Sequence, residues 1–372
     1  MSAAPQRIVL AAGGTGGHVF PAQALAAALL ARGHRLALVT DRRGHAYGDA
    51  LGTIETHRIA AARIDGGVAG KLRGAVELGC GYFQARRLLA DLAPRAVVGF
   101  GGYPSVPVML AAGRAGLPTL IHEQNAVLGR ANRLLAGRVT RIAISFAAVS
   151  GLRPQDAAKT VLTGAPVRPE IAALASRPWP AFEGTLRVLV LGGSQGARVL
   201  SEVIPHAVAR LAAELRARLS IAQQCRPEDI EAARAVYAGC GADVELATFF
   251  DDVPHRLAAT HLFIGRAGAS TCAEVTAAGR PAILVPYLHA TDDHQTANAR
   301  QIEAAGAAWV MPQGAFTAEA LAARLEALLA DPAALAAAAE RSRAIGKPDA
   351  AARLADAVEA LAGGNGAARR AA

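Results

Sequence analysis

The residues best suited to chemistry near the start of the chain lie in the stretch GGTGGHVFPA, residues 13–22. Glycines let the backbone approach a ligand closely, and the start of a following helix offers free N–H groups to an anion. His18 ends the glycine run, and a neutral imidazole there can accept a proton near pH 7. The pattern predicts a general base, and a capping or packing histidine is the alternative.

The glycine spacing argues against two common nucleotide sites. Counted from Gly14, the third glycine of the dinucleotide fingerprint is replaced by Val19, and no P-loop lysine follows. We therefore expect a loop that approaches an anion but binds neither NAD nor ATP.

A second glycine loop, LGGSQGAR, covers residues 191–198 and also follows an apolar run. It supports two hypotheses. Ser194 can be a phosphate ligand at a helix start. Alternatively, the Gly-x-Ser-x-Gly spacing matches the nucleophile elbow of hydrolases, with Asp292 and His294 as candidate partners. We prefer the phosphate ligand, because a hydrolase would not need the parallel loop at His18.

A third junction, FIGRAGASTCAE (263–274), places small and hydroxyl-bearing residues at a helix start. These residues, Ala269, Ser270 and Thr271, predict a seat for a diphosphate. Glu274, one turn later, can accept both hydroxyls of a ribose, although an acidic residue near a helix start is also common for electrostatic reasons.

Polar residues crowd the segment after the next predicted strand, including Asp292, Asp293, His294 and Gln295. Such density favours a binding site over a solvated loop. We expect no bound metal, because neighbouring Asp and His residues cannot easily share one face of an ion. In the first half, Glu123 and Asn125 follow a buried strand, where sugar hydroxyls would satisfy them, and helix capping is the alternative.

The elements that must position these residues alternate between short apolar runs and helical patterns, which predicts two α/β domains with parallel sheets covered on both faces. Strands are predicted at 8–11, 35–39, 96–99, 119–121, 142–144, 161–162, 187–191, 219–222, 244–246, 262–264, 282–285 and 308–310. A proline-rich linker after residue 168 separates the halves. The expected organisation is an N-terminal domain at 1–165, a second domain at 166–345, a helix at 346–362 that packs back on the first domain, and a disordered tail at 363–372.

The 372 residues carry a net charge of +9, which favours anionic partners. The four cysteines show no paired spacing, so neither a disulfide framework nor a zinc site is expected. Aromatic residues make up only 4%, which argues against a nucleic-acid binder. No signal peptide and no membrane span are predicted.

One predicted helix has apolar residues flanked by cations and is a candidate membrane contact. An ordinary core helix is the alternative. The contact residues would be Lys71, Leu72, Arg73, Val76, Phe83, Arg86 and Arg87.

Seven stretches, taken in order, resemble the motifs of the MurG family of bacterial UDP-N-acetylglucosamine (UDP-GlcNAc) transferases. They are GGTGGHVFPA, GFGGYPS, HEQNAVLGRANR, GAPVR, GGSQGAR, GRAGASTCAE and DDHQTANA. The resemblance implies a GT-B fold, in which two Rossmann-like, doubly wound domains with parallel sheets face an interdomain cleft. It also implies inverting transfer of GlcNAc to the C4 hydroxyl of MurNAc in lipid I, an undecaprenyl-diphosphate-linked acceptor, which yields lipid II for peptidoglycan synthesis.

The resemblance also assigns roles to matching positions. In the donor site Ser194 and 269–271 would meet the diphosphate, Glu274 the ribose, the Phe250 backbone the uracil, and His294 and Gln295 the GlcNAc hydroxyls. Thr15, Gly16, Gly17 and Asn125 would complete the sugar and acceptor side, and Arg168 would approach the phosphates. Since an inverting transfer needs one base within hydrogen-bond reach of the acceptor hydroxyl, we hypothesise that His18 is this base or at least orients the hydroxyl, with Glu123 as the reserve candidate. The family usually has asparagine where this chain has Ala165, so that contact is absent here.

No cofactor is implied. The implied partners are UDP-GlcNAc, lipid I, an anionic membrane surface and other cell-wall synthesis proteins, and the implied location is peripheral, on the cytoplasmic face of the bacterial inner membrane. Two alternatives stay open: another GT-B UDP-sugar enzyme, with a soluble acceptor or as an epimerase, and a serine hydrolase that uses Ser194.

Overall fold

A computed structural model describes residues 5–13, 16–41, 54–61, 67–193 and 196–368. The chain divides into two compact units, of which the first combines Met1–Val167 with Asp349–Ala372 and the second is Arg168–Pro348. The division falls two residues after the boundary expected from the sequence. The proline-rich segment is not a free linker: Trp179 and Phe182 pack against the core of the second unit, and Trp179 Nε1 donates to the carbonyl of His261 at 3.1 Å.

Within the described residues, the sheet of the first unit has seven strands, all parallel, in the order β3-β2-β1-β4-β5-β6-β7. The strands are β1 (Arg7–Ala11), β2 (Arg35–Thr40), β3 (Glu55–Arg58), β4 (Ala96–Gly99), β5 (Thr119–Glu123), β6 (Arg141–Ile144) and β7 (Thr160–Leu162). The helices are α1 (Gly16–Ala31), α2 (Val68–Leu92), α3 (Ser105–Arg114), α4 (Arg130–Leu135) and α14 (Ala350–Ala368), and a 3-10 helix covers Pro154–Lys159.

The last helix, α14, packs on the first unit. Leu354, Ala355 and Val358 are buried in one apolar cluster with Leu25 and Leu29 of α1. At the edge of this cluster, Arg32 pairs with Asp356 and Glu359, both at 2.7 Å. The helix continues to Ala368, six residues beyond the end predicted at residue 362. The turns before Gly363 are packed and nucleate the helix, so it extends through the following glycines and asparagine, although these residues have a low helix propensity.

The second sheet has six described strands, all parallel, and their order, β10-β9-β8-β11-β12-β13, repeats that of β3 to β6 in the first sheet. Its strands are β8 (Leu186–Leu191), β9 (Leu219–Gln224), β10 (Asp243–Ala247), β11 (Leu262–Gly265), β12 (Ala282–Leu284) and β13 (Ala308–Val310). Its helices are α5 (Pro169–Ala172), α6 (Arg198–Arg210), α7 (Ala213–Arg216), α8 (Ile230–Tyr237), α9 (Val253–Ala259), α10 (Ala269–Ala277), α11 (His294–Ala304), α12 (Ala318–Ala330) and α13 (Pro332–Ile345). Short 3-10 helices cover Ala173–Ser176, Thr291–Asp293 and Gln313–Ala315.

Both strand orders are those of doubly wound nucleotide-binding folds, in which ligands bind where the order reverses, at the carboxyl ends of the strands. The reversal lies between β1 and β4 in the first sheet and between β8 and β11 in the second. In the described part of the chain, no helix is long and apolar enough to cross a membrane.

Candidate active site

The glycine-rich loops expected from the sequence follow the two strands at each reversal point. Ala11 at the end of β1 is in register with Gly99 of β4, and Leu191 at the end of β8 is in register with Gly265 of β11. Gly13 requires its small size, because a Cβ there would lie 2.5 Å from Pro104 Cγ in the loop after β4. The loops after β1 and β4 therefore pack closely at one end of the first sheet.

His18 lies in the first turn of α1, and its imidazole packs against the loop after β4. A Cβ added to Gly101 would lie 3.2 Å from His18 Cε1, and one added to Gly102 would lie 3.6 Å from His18 Cδ2. Both glycines also have a positive φ, of 86° and 73°. The GFGG sequence thus provides the space in which the imidazole sits, at the carboxyl ends of β1 and β4.

Glu123, the reserve candidate for the base, is almost fully buried at the end of β5. Oε1 accepts from Asn125 N at 3.0 Å and from Asn125 Nδ2 at 3.3 Å. Oε2 accepts from Gly129 N at 2.8 Å and from Asn132 Nδ2 at 2.9 Å. A carboxylate has about four acceptor positions. The four N–H groups occupy these acceptor positions, so the geometry favours a structural role for Glu123, which connects β5 to the start of α4.

His122, the residue before Glu123, is fully buried, and its tautomer follows from its hydrogen bonds. Nε2 lies 3.0 Å from the carbonyl oxygen of Gly164 and therefore carries the proton, whereas Nδ1 accepts from Gln124 Nε2 at 3.1 Å. Burial lowers the pKa of His122 to about 4, which the charge of His18 reinforces. His122 is thus a neutral structural group near pH 7.

In the second unit, α10 starts at Ala269, directly after Gly268, whose extended backbone (φ −64°, ψ 150°) ends the loop from β11. The side chains of Ala269, Ser270 and Thr271 are all half-buried in this first turn. Free backbone N–H groups and hydroxyls at a helix start suit an anion. The structure therefore places the residues predicted to bind a diphosphate at the reversal point of the second sheet.

Arg168 and Glu274 form an ion pair that the sequence did not predict. Arg168 Nε donates to Glu274 Oε1 at 2.9 Å and its terminal nitrogen donates to Oε2 at 3.1 Å. This two-point geometry fixes the plane of the carboxylate. Glu274 is the less exposed partner, with 20% of its side chain accessible against 41% for Arg168.

The polar segment before α11 has an unusual backbone. Asp292 and Asp293 both adopt the left-handed region, with φ of 53° and 49°, which non-glycine residues rarely do and which is often found at functional sites. His294 Nδ1 donates to the carbonyl of Thr291 at 2.7 Å, and Gln295 Oε1 accepts from Tyr287 N at 2.9 Å. His294 therefore keeps Nε2 for another contact, and Gln295 keeps its amide N–H groups.

Phe250 follows β10 and is buried, with the guanidinium carbon of Arg256 4.0 Å from its ring centroid. Its side chain is therefore held inside the second unit, and the carbonyl of Thr248, two residues earlier, accepts from Gln224 Nε2 at 3.3 Å. Three predicted residues lie partly or wholly beyond this description. Thr15 and Ser194 are outside the described residues, as is the side chain of Lys71, whereas Gly16 and Gly17 open α1.

Three residues join segments of the site by hydrogen bonds, and sequence analysis noted only Asn298 among them, as part of the polar segment that runs into α11. Arg266, directly after β11, donates to the carbonyls of Val285 and Pro286, both at 3.2 Å, and burial lowers its pKa. Asn298 Nδ2 donates to Ala267 O at 3.0 Å, which ties α11 to the loop before α10. Gln224, the third, is discussed below. The first two belong to quoted motifs, and for Arg266 that membership was the only signal.

The candidate membrane helix, α2, exposes apolar side chains. Leu72, Val76 and Phe83 are 67%, 59% and 65% accessible, whereas Leu89 on the other side is in the core. At about 100° per residue these three lie within an arc of about 40°. Arg73, Arg86 and Arg87 are also exposed, and Arg73 pairs with Glu77 at 3.1 Å. The face of α2 that carries Leu72, Val76 and Phe83 is therefore exposed and does not pack in the core of the first unit.

Two doubly wound units of the same strand order, each with glycine loops at its reversal point, are the architecture of GT-B glycosyltransferases. Residues 8–144 match the N-terminal domain of glycosyltransferase family 28, and residues 187–354 match its C-terminal domain. The chain belongs to glycosyltransferase family 28, and the GT-B fold predicted from the sequence is confirmed.

Similar proteins cover nearly the whole chain. A protein of Rhodospirillum centenum named UDP-N-acetylglucosamine–N-acetylmuramyl-(pentapeptide) pyrophosphoryl-undecaprenol N-acetylglucosamine transferase is 62% identical over 98% of this chain and 97% of its own length. A protein of the same name from Paramagnetospirillum magneticum is 60% identical over 97% of this chain and 98% of its own. The crystal structure of Acinetobacter baumannii MurG matches with a TM-score of 0.80 and 32% identity, over 95% of this chain and 99% of that one.

Proposed function

We propose that this chain transfers GlcNAc from UDP-GlcNAc to the C4 hydroxyl of MurNAc in undecaprenyl-diphosphate-linked lipid I, with inversion, to form lipid II for peptidoglycan synthesis. The observation that carries the proposal is the near full-length identity to relatives named for this transfer. The geometry of the two reversal points supports it, because one presents the imidazole of His18 and the other a helix start with the carboxylate of Glu274.

Inversion requires a single in-line displacement, so one base is sufficient. His18 takes the proton from the acceptor hydroxyl while the hydroxyl oxygen attacks the anomeric carbon and the bond to UDP breaks. Negative charge then develops on the leaving diphosphate. The N–H groups at the start of α10 stabilise that charge, together with Arg168, in the manner of a preorganised oxyanion site.

The donor is held by the second unit. Ser194 and the 269–271 turn bind the diphosphate, Glu274 binds the ribose hydroxyls, and the Phe250 backbone binds the uracil edge. Gln295 and His294 bind the GlcNAc hydroxyls, which agrees with the N–H groups and the Nε2 that their observed contacts leave available. On the first unit, Thr15, Gly16, Gly17 and Asn125 complete the sugar and acceptor side.

A transfer assay with UDP-GlcNAc and a lipid I analogue, run with and without EDTA, tests this function. We expect GlcNAc to appear on the lipid at the same rate in both reactions, because protein groups neutralise the diphosphate. Formation of UDP-ManNAc instead would favour an epimerase, and transfer only to soluble acceptors would favour a different glycosyltransferase. Labelling of Ser194 by a fluorophosphonate would favour a hydrolase. Loss of transfer with EDTA would contradict the metal-free mechanism.

We also propose that the exposed face of α2 binds an anionic membrane surface, on the cytoplasmic side of the inner membrane, where other cell-wall synthesis proteins act on the same lipid. Three exposed apolar side chains on one arc would enter the headgroup region, and the arginines beside them would pair with lipid phosphates.

Flotation with liposomes tests this attachment. Arg86→Gln/Arg87→Gln should reduce recovery with anionic vesicles, each cation near the surface contributing about 1 kcal/mol. The matched control is Arg234→Gln/Arg324→Gln, which removes two exposed arginines of the second unit. Equal recovery of both variants, or of the wild type with neutral and anionic vesicles, would contradict the electrostatic part of the proposal.

A further inference from the structure

Gln224 is a buried amide at the carboxyl end of β9, with 7% of its surface accessible. Its Oε1 accepts from Gly192 N at 3.2 Å, and its Nε2 donates to the carbonyl oxygen of Thr248 at 3.3 Å. Because β9 lies between β8 and β10 in the sheet, this one side chain bonds to the segments that follow both neighbouring strands.

The segment after β8 is tightly folded where the structure describes it. Gly196 N donates to Gly193 O at 3.0 Å, and a Cβ at Gly192 would lie 2.3 Å from Ala197 N. Gly192 and Ala197 therefore lie in close backbone contact, and Gln224 bonds to the N–H group of Gly192. The segment after β10 carries Phe250, and Gln224 holds it at Thr248. The amide has both a donor and an acceptor, which is what these two backbone groups require.

We propose that Gln224 is a positioning residue for the nucleotide donor. It sets the spacing between the segment after β8, which meets the diphosphate, and the segment after β10, which meets the uracil. The inference rests on the proposed function, because that function assigns the two segments to the two ends of one nucleotide. A ligand that contacts both segments gains from their fixed spacing, whereas a ligand that contacts one segment gains little.

The neighbouring residue provides a matched control within the same strand. Gln223 is fully buried, but its side chain points to the opposite face of the sheet. It accepts from Tyr237 Oη at 2.7 Å and donates to Leu200 O at 3.3 Å, both on helices of that face. Replacing either glutamine removes two hydrogen bonds, but those of Gln224 go to Gly192 and Thr248 in the segments directly after β8 and β10, whereas those of Gln223 go to two helices.

Calorimetric titration of the full chain with UDP and with uridine tests the inference, uridine being followed by competition if its binding is weak. In Gln224→Leu, the ratio of the association constants of UDP and uridine should fall by about tenfold, the scale of one or two lost hydrogen bonds. The ratio should stay at the wild-type value in Gln223→Leu. In steady state, the KM for UDP-GlcNAc should rise in Gln224→Leu while kcat is largely kept.

The outcomes separate the two proposals. If the wild type binds UDP-GlcNAc but both leucine variants change the ratio equally, or Gln224→Leu leaves it unchanged, Gln224 has no positioning role. If the wild type does not bind UDP-GlcNAc, the proposed function fails and this inference fails with it. Should Gln224→Leu not fold, Gln224→Glu serves instead. It keeps an acceptor for Gly192 but sets an oxygen against the Thr248 carbonyl, so the same fall in the ratio is expected.

Discussion

Replacing His18 with alanine should lower the kcat of GlcNAc transfer by about 100-fold or more, which is the usual contribution of a general base. The imidazole lies in the first turn of α1, in space that Gly101 and Gly102 leave free, at the carboxyl ends of β1 and β4. The affinity for UDP-GlcNAc should change little, because the residues proposed to hold the donor belong to the second unit. Steady-state kinetics together with calorimetry would measure both quantities.

The control for this variant is His206→Ala, which removes an exposed imidazole from α6 in the second unit. It should leave kcat at the wild-type value. An unfolding midpoint for His18→Ala equal to that of the wild type would exclude a loss of fold as the cause. A wild-type kcat in His18→Ala would show that another group removes the proton. Glu123 is a poor substitute, because its two oxygens already accept from four N–H groups.

Replacing Glu274 with glutamine should raise the KM for UDP-GlcNAc by roughly ten- to a hundredfold, the range of one charge-assisted hydrogen bond. Two effects act together. The ribose hydroxyls lose a charged acceptor. The two hydrogen bonds from Arg168, at 2.9 and 3.1 Å, which fix the plane of the Glu274 carboxylate, are also disturbed. The effect should fall on KM more than on kcat, since the ribose is remote from the reacting carbon.

A donor with a 2′-deoxyribose separates the ribose contact from a general disturbance. The wild type should discriminate against it, and Glu274→Gln should discriminate much less. Glu170→Gln, which changes an exposed glutamate two residues after Arg168, is the matched control and should leave both KM values unchanged. Undiminished discrimination in Glu274→Gln would assign the ribose to another residue.

The strands that sequence analysis predicted are those with apolar, β-branched runs, and all of them occur in the two sheets. In the part of the chain that the structure describes, it missed one strand, β3, which has the sequence ETHR and lies at the edge of the first sheet beyond β2. Three of its four residues are exposed. Hydrophobic patterning could not reveal it, because pairing of its backbone with β2 creates this strand rather than burial of its side chains.

In the site, motif spacing predicted which loops gather at the reversal points but not which side chains pair. Arg168 and Glu274 are 106 positions apart in sequence, and nothing in either motif indicates the other. Glu123 was interpreted as a candidate base because a carboxylate follows a buried strand. Its four donors come from residues within nine positions. These donors converge on the carboxylate because α4, which begins at Arg130, lies next to the end of β5. The order of residues in the sequence does not reveal this arrangement.

The C-terminal helix α14 has a consequence for how the protein is made. It supplies Leu354, Ala355 and Val358 to the apolar cluster around α1, although the whole second unit, Arg168–Pro348, is synthesised before this helix emerges. At a translation rate of about 5–20 residues per second, the emerging first unit waits on the order of ten seconds for this helix. During that time Leu25 and Leu29 lack their final cover, so the nascent unit is a candidate chaperone client. The second unit, continuous in sequence, has no such delay and can complete its folding first.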